Sequence, residues 1–274
     1  MSVMDLSVCY HSLGFKRAPF NITPDTELFF PNDCHVTALS HMRYGLYSGG
    51  FTVITGEVGL GKTLLCRELI RQSDKNVRTA YVFNPLQSIN DLLRSIYFDL
   101  TGRRSEARTT GQLHDAIYKA LLIIASRGER ATIVIDEAHR LNPELLEALR
   151  LISNIETEKE KLLSLILVGQ PELRRTLLST KMRPLAQRIS VSYSLKPLNL
   201  HSCSDYVQYR LDNTQLKGRF YFSSVAMVLV YWYSKGAPRR INQICDRALL
   251  AAFSKKQFFV NAHTLRRAAR EVLR

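Results

Sequence analysis

The sequence predicts an α/β fold, a parallel sheet covered by helices on both faces and followed by a small all-helical domain. Two observations predict it. Short apolar runs alternate with helix-length patterns through most of the chain, and strand signals stop after Pro197. The opening is irregular, punctuated by Pro19, Pro24 and Pro31. The strand candidates are Phe51–Thr55, Thr79–Phe83, Thr132–Ile135, Leu163–Val168 and Ile189–Leu195, with helical patterns over about 61–73, 89–100, 111–126 and 142–156. Strands and helices alternating at this spacing read as a parallel sheet. Four helix-length segments follow. In Pro238–Ser254, residues Ile241, Ile244, Cys245, Ala248, Leu249 and Ala252 fall on one stripe with a 3.6-residue period. The expected division is therefore 1–197, with an irregular segment 1–50 at its start, and 198–274.

Composition narrows the class. At 46% hydrophobic and 23% charged residues the chain can bury a core and is not disordered. Its longest apolar run, Val225 to Tyr233, is nine residues, well short of the roughly 20 a membrane span needs. The first ten residues lack a basic region followed by an apolar stretch, so no secretory signal is expected. Five cysteines (9, 34, 66, 203 and 245) are scattered without zinc-like or paired spacing, and a reduced, cytoplasmic setting is the expectation. Cys66 reads as packing. Charge is uneven. Residues 1–170 hold 19 Lys and Arg against 19 Asp and Glu, whereas residues 171–274 hold 19 against 5 and carry the whole net +14. An anionic partner is expected at that end, either nucleic acid, anionic lipid or an acidic protein face.

Two motifs carry chemistry. Gly56-Glu57-Val58-Gly59-Leu60-Gly61-Lys62-Thr63 fits GxxxxGK[ST] between a predicted strand and a predicted helix that continues through Leu64. Such glycines let backbone N–H groups face phosphate oxygens, and the helix N-terminus adds partial positive charge. Lys62 is expected to reach the β- and γ-phosphates of ATP, and the Thr63 hydroxyl to ligate Mg²⁺. The second motif, Ile133-Val134-Ile135-Asp136-Glu137-Ala138-His139, ends an apolar strand in two adjacent carboxylates. Buried acids are costly unless a cation waits at the strand tip. Asp136 is expected in the Mg²⁺ shell, partly through water, and Glu137 is expected to polarise the attacking water. His139 either touches this carboxylate network or runs on into the next helix.

Together these motifs resemble the AAA+ branch of P-loop ATPases. More narrowly, the chain resembles the ExeA/GspA-type ATPases (general secretion pathway protein A-like) of bacterial secretion and pilus assembly, the short MSHA pilus biogenesis ATPase most closely. The matching stretches are Pro19-Phe20-Asn21 with Thr23-Pro24-Asp25, His35 with Ala38-Leu39, GEVGLGKT, IDEAH, Leu149–Glu156, Leu167–Leu173, Ala186–Ile189 and Gly236–Asn242. Transposition ATPases such as TniB, TnsC and MuB share much of the pattern. The resemblance implies an ATP hydrolase, a P-loop nucleotide-binding domain followed by a helical lid, and further roles. Gln170, ending the fourth strand, corresponds to sensor 1. Arg188, with Arg183 as rival, corresponds to an arginine finger donated to a neighbouring subunit of a homo-oligomer. Arg239, with Arg240 as rival, corresponds to sensor 2, and the Pro19–Asp25 segment to the adenine side. Longer family members add a transmembrane helix and a peptidoglycan-binding region. The sequence to Arg274 contains neither, so the expectation is a relative that works through a pilus or secretion-system protein or at the inner membrane surface. The rival expectation is an ATP-gated DNA-binding regulator, as in the transposition ATPases.

Asn261 is expected to cap a last helix with Leu265, Ala268, Ala269 and Val272 inward. Arg266, Arg267, Arg270 and Arg274 then share one face, at 100° per residue, as a phosphate-contacting ridge or a solvated surface. Tyr206, Tyr209, Tyr221, Tyr231 and Tyr233 stack on bases or serve the core.

Overall fold

The computed structural model describes residues 6–83, 85, 88–156, 161–216 and 220–273. A first helix α1 (Leu6–Ser12) is followed by α2 (Asp33–Ser48), β1 (Gly50–Thr55), α3 (Lys62–Gln72) and β2 (Val77–Val82). Next come α4 (Ile89–Thr101), α5 (Thr110–Ser126), β3 (Arg130–Ile135) and α6 (Pro143–Ile152). After β4 (Leu163–Gly169) the chain forms α7 (Pro171–Leu177), α8 (Arg183–Ala186) and β5 (Ile189–Ser194). The remainder is α9 (Leu200–Asp212), β6 (Tyr221–Phe222), α10 (Ser224–Ser234), α11 (Pro238–Ser254), β7 (Phe259–Val260) and α12 (Ala262–Val272). The chain divides into two compact units, one of residues 33–58 and 62–195, the other of 1–32, 59–61 and 196–274.

The first unit is a five-stranded sheet in the order β2-β3-β4-β1-β5, every pairing parallel. Parallel strands need covered faces, so their central members read as continuous apolar runs. All residues of β1 and β4 are buried, while the edge strands β2 and β5 are only partly so. Leu92, Leu93 and Ile96 of α4 and Leu113, Ile117 and Leu121 of α5 join this core. Local signals agree with the elements. Thr109 and Gln112 form a reciprocal capping box on α5, and Asn142 caps α6 with Pro143 in its first turn. The helix expected over 142–156 stops at Ile152, where the Ser153 hydroxyl turns back to the Arg150 carbonyl at 2.6 Å. Burial pushes the Cys66 thiol well up, in keeping with a packing role.

The second unit is helical, as expected, with one addition. Tyr221 and Phe222 pair with Phe259 and Val260 as a two-stranded parallel ladder, so strands do not end at Pro197. The early segment belongs to this unit. Tyr10 donates to Asp246 at 2.6 Å, Arg210 to the Pro19 carbonyl at 3.2 Å, and Asn242 to the Asn21 carbonyl at 3.1 Å. Phe20 between them is buried. No helix among the described residues is long and apolar enough to cross a membrane.

Candidate functional site

Strand order brings the sequence motifs to one edge. In an open parallel sheet ligands bind beyond the carboxyl ends of the strands. Here β3, β4 and β1 are consecutive neighbours, and from their ends emerge Asp136-Glu137, Gln170 and the loop from Gly56 to Thr63. The Gly56 N–H donates to the Gly169 carbonyl at 3.2 Å, tying loop to sheet. Gly59 and Gly61 have φ of 82° and 88°, a region open at low cost to glycine. Glu57 and Val58 are exposed, Leu60 is buried and Leu64 is half-buried in the first turn of α3. A Cβ at Gly59 would lie 2.8 Å from the Arg239 Cβ, and the Gly59 carbonyl accepts the Arg239 N–H at 3.1 Å.

Lys62 opens α3 and is buried. Its Nζ donates to the Gly56 and Glu57 carbonyls at 2.8 and 2.9 Å. Burial lowers its pKa, against the pull of Glu137, Asp136 and Glu57. An ammonium hydrogen-bonded to loop carbonyls can exchange them for a stronger acceptor, and phosphate oxygens are such an acceptor.

Asp136 is fully buried. Its Oδ2 accepts the Thr63 hydroxyl at 2.6 Å and its Oδ1 the Glu137 N–H at 2.8 Å. Burial raises its pKa, and these two hydrogen bonds oppose the rise. A cation beside it would relieve that desolvation. The described residues contain no cluster of three or more metal-ligating side chains, but Thr63 and Asp136 offer two hard oxygens side by side. Mg²⁺ takes such a set together with substrate phosphates and water, so the residues fit the ion. Glu137 has φ 54° and ψ 32°, left-handed geometry that costs a glutamate on the order of 1–3 kcal/mol and clusters at functional sites.

His139 takes both of its expected courses, lying in a short 3₁₀ helix (Ala138–Arg140) while its ring joins the carboxylates. Its Nε2 lies 3.6 Å from Glu137 Oε2 and 3.0 Å from Gln170 Nε2, and its Nδ1 receives the Gln170 N–H at 3.4 Å. A Cβ on Gly169 would stand 2.9 Å from the backbone nitrogen of His139, so glycine there lets the main chain after β3 pass close to the end of β4. Glu137, His139 and Gln170 thus form one polar chain. Sequence reasoning singled out the outer two and left the middle one open. Tyr81, which it did not consider, brings its hydroxyl to 3.5 Å from Asp136 Oδ2.

Arg188 stands apart from this cluster. It precedes β5, its carbonyl receiving the Phe51 N–H at 3.1 Å and its guanidinium reaching Ser153 at 3.4 Å. That is the opposite end of the sheet, roughly 13 Å along β1 at 3.3 Å per residue. Arg183 is exposed on α8, and the Arg239 and Arg240 side chains are exposed on α11. Asn261 caps α12 by accepting the Thr264 N–H at 2.9 Å, and Arg266, Arg267 and Arg270 are exposed. Arg274 lies outside the described residues. Among the tyrosines Tyr206 is buried and donates to Asn242 at 2.9 Å, while Tyr221 is exposed.

A family model described as an AAA domain matches residues 45–177. General secretion pathway protein A of Aeromonas hydrophila is 40% identical over 245 residues, 88% of this chain and 44% of that protein. The ATP-dependent target DNA activator B of Escherichia phage Mu is 30% identical over 47% of this chain and 37% of its own length. The chain thus spans less than half the length of these relatives. Among solved structures, the ORC2 protein of Aeropyrum pernix superposes with a TM-score of 0.70 at 16% identity, covering 94% of this chain and 72% of that one. This likeness bears on the fold alone. The fold, the loop and the identity over most of its length together mean that this chain belongs to the AAA+ P-loop ATPases, within the group of general secretion pathway protein A.

Proposed function

We propose that this protein binds ATP with Mg²⁺, hydrolyses it, and uses the resulting conformational change in assembling bacterial secretion or pilus machinery. The convergence of Lys62, Thr63, Asp136 and Glu137 at one edge of the sheet carries this reading. In it, the sheet unit is the nucleotide-binding domain and the helical unit, which residues 1–32 join, its basic lid. Lys62 gives up its loop carbonyls for the β- and γ-phosphates, and the N–H groups of residues 56–64 cradle them. Thr63 and Asp136 would hold Mg²⁺, which would supply charge neutralisation at the phosphate oxygens. Glu137 takes the proton of the attacking water, and His139 and Gln170 hold that carboxylate in register. Arg239 (or Arg240) follows the γ-phosphate as sensor 2. The setting is cytoplasmic, extending to the inner membrane surface.

Arg188, a strand's length from its own loop, fits a finger donated to a neighbouring subunit of a homo-oligomer, with Arg183 as the other candidate. Arg188→Ala is expected to lose about a thousandfold in turnover, the lower end for such arginines. Mixed with Lys62→Ala protein, which is itself inactive but donates an intact arginine, it should regain part of its ATPase rate. No recovery in a steady-state phosphate-release assay removes Arg188 from that role.

The phage relative, by name an ATP-dependent target DNA activator, favours a second reading in which ATP gates binding to DNA. Fluorescence anisotropy on labelled duplex DNA, with and without ATP at two salt concentrations, separates the two. Binding that needs ATP and weakens steeply with salt supports the DNA reading, and its absence removes it.

A further inference from the structure

We propose that the outer face of α10 is a docking surface for an anionic lipid bilayer, with Trp232 entering the headgroup layer. The inference does not depend on the nucleotide site. Helix α10 is apolar on every side, the pattern of a helix that expects cover all round. Ala226 and Val230 point inward, where α10 packs against α9, α11 and α12. Val225, Val228 and Trp232, spaced i, i+3 and i+7 on one stripe, are 58%, 51% and 67% exposed. Aromatic and cationic groups lie at the two ends of that stripe. Before its first turn Tyr221, itself exposed, stacks on Phe259 with centroids 5.8 Å apart at 15°. At its last turn Trp232 meets Tyr233 edge to face at 4.8 Å, and Lys235, exposed, follows at the C-cap. Exposed Lys255 and Lys256 lie just ahead of β7 in the chain.

Charge selects the occupant. From Ser223 to Gly236 the sequence has no Asp or Glu, while Lys235 at the C-cap and Lys255 and Lys256 ahead of β7 are exposed. A second copy seated on this face would press like charges together. Single-stranded nucleic acid would want flat rings, whereas the middle of the stripe is two valines. An anionic bilayer satisfies both chemistries, because tryptophan and tyrosine prefer the headgroup level, valines gain by leaving water, and lysines meet lipid phosphates.

Trp232 is the only tryptophan, so its fluorescence reports on this face alone. With the full chain, vesicles of phosphatidylcholine mixed with phosphatidylglycerol should shift its emission to the blue and shield it from acrylamide. Vesicles of phosphatidylcholine alone should not, and added salt should weaken the effect. Val228→Glu should lower the vesicle partition coefficient about tenfold or more, given the transfer free energy of one valine. Because Val228 is exposed, circular dichroism and thermal unfolding of that variant should match the parent. Unchanged emission together with no co-sedimentation on the anionic vesicles overturns the proposal. So does a blue shift that grows with protein concentration in buffer alone, which assigns the face to a second copy, or quenching by DNA without a response to vesicles.

Discussion

Lys62→Ala should lose nucleotide affinity by at least tenfold to a hundredfold, read by calorimetry with ATP and Mg²⁺, and ATP hydrolysis should go with it. The size follows from the side chain's situation. Its ammonium is buried, and its two recorded partners are carbonyls of the loop it would serve. Each charge-assisted hydrogen bond to phosphate that replaces one of these is worth about 1.5–3 kcal/mol, and every 1.4 kcal/mol is tenfold in affinity. Truncation also leaves the Gly56 and Glu57 carbonyls without that donor, so the melting temperature of the variant is measured alongside. Near-parental stability with unaltered tight ATP binding would mean that this loop is not where the nucleotide sits.

Glu137→Gln should separate binding from chemistry. ATP affinity stays near the parental value, while single-turnover hydrolysis falls by about 10²–10⁴-fold, the usual worth of a positioned general base. The substitution keeps the size of the side chain, and the backbone N–H that Asp136 holds at 2.8 Å is untouched. The left-handed backbone at this residue is therefore retained, and the change is confined to the carboxylate. Normal turnover in this variant would take the base role away from Glu137.

Much of this was legible from the chain alone, for identifiable reasons. The sheet strands are short runs rich in apolar and β-branched residues, alternating with serine in β5, and Pro238–Ser254 carries its helical period in plain view, so pattern suffices there. The phosphate loop and acid pair were readable because each is contiguous. The Glu137–His139–Gln170 chain was not, since it depends on β3 lying beside β4, which is a matter of strand order. Its one available sign was the close of the IDEAH stretch. The β6–β7 ladder escaped because two-residue strands leave no period to detect. That residues 6–32 join the helical unit could not be read either, because bonds such as Tyr10 to Asp246 link positions far apart in the chain.

Strand β1, which launches the phosphate loop, is flanked by β4 and β5, both made much later in the chain. While a ribosome is still short of Ser194, the segment bearing GEVGLGKT has neither permanent neighbour and no rigid base from which to curl. Non-local pairing of this kind is slow and leaves apolar edges uncovered in the meantime. A nascent polypeptide is therefore not expected to hold a nucleotide until it has been made through Ser194, and β1 waits without its two neighbours in the meantime.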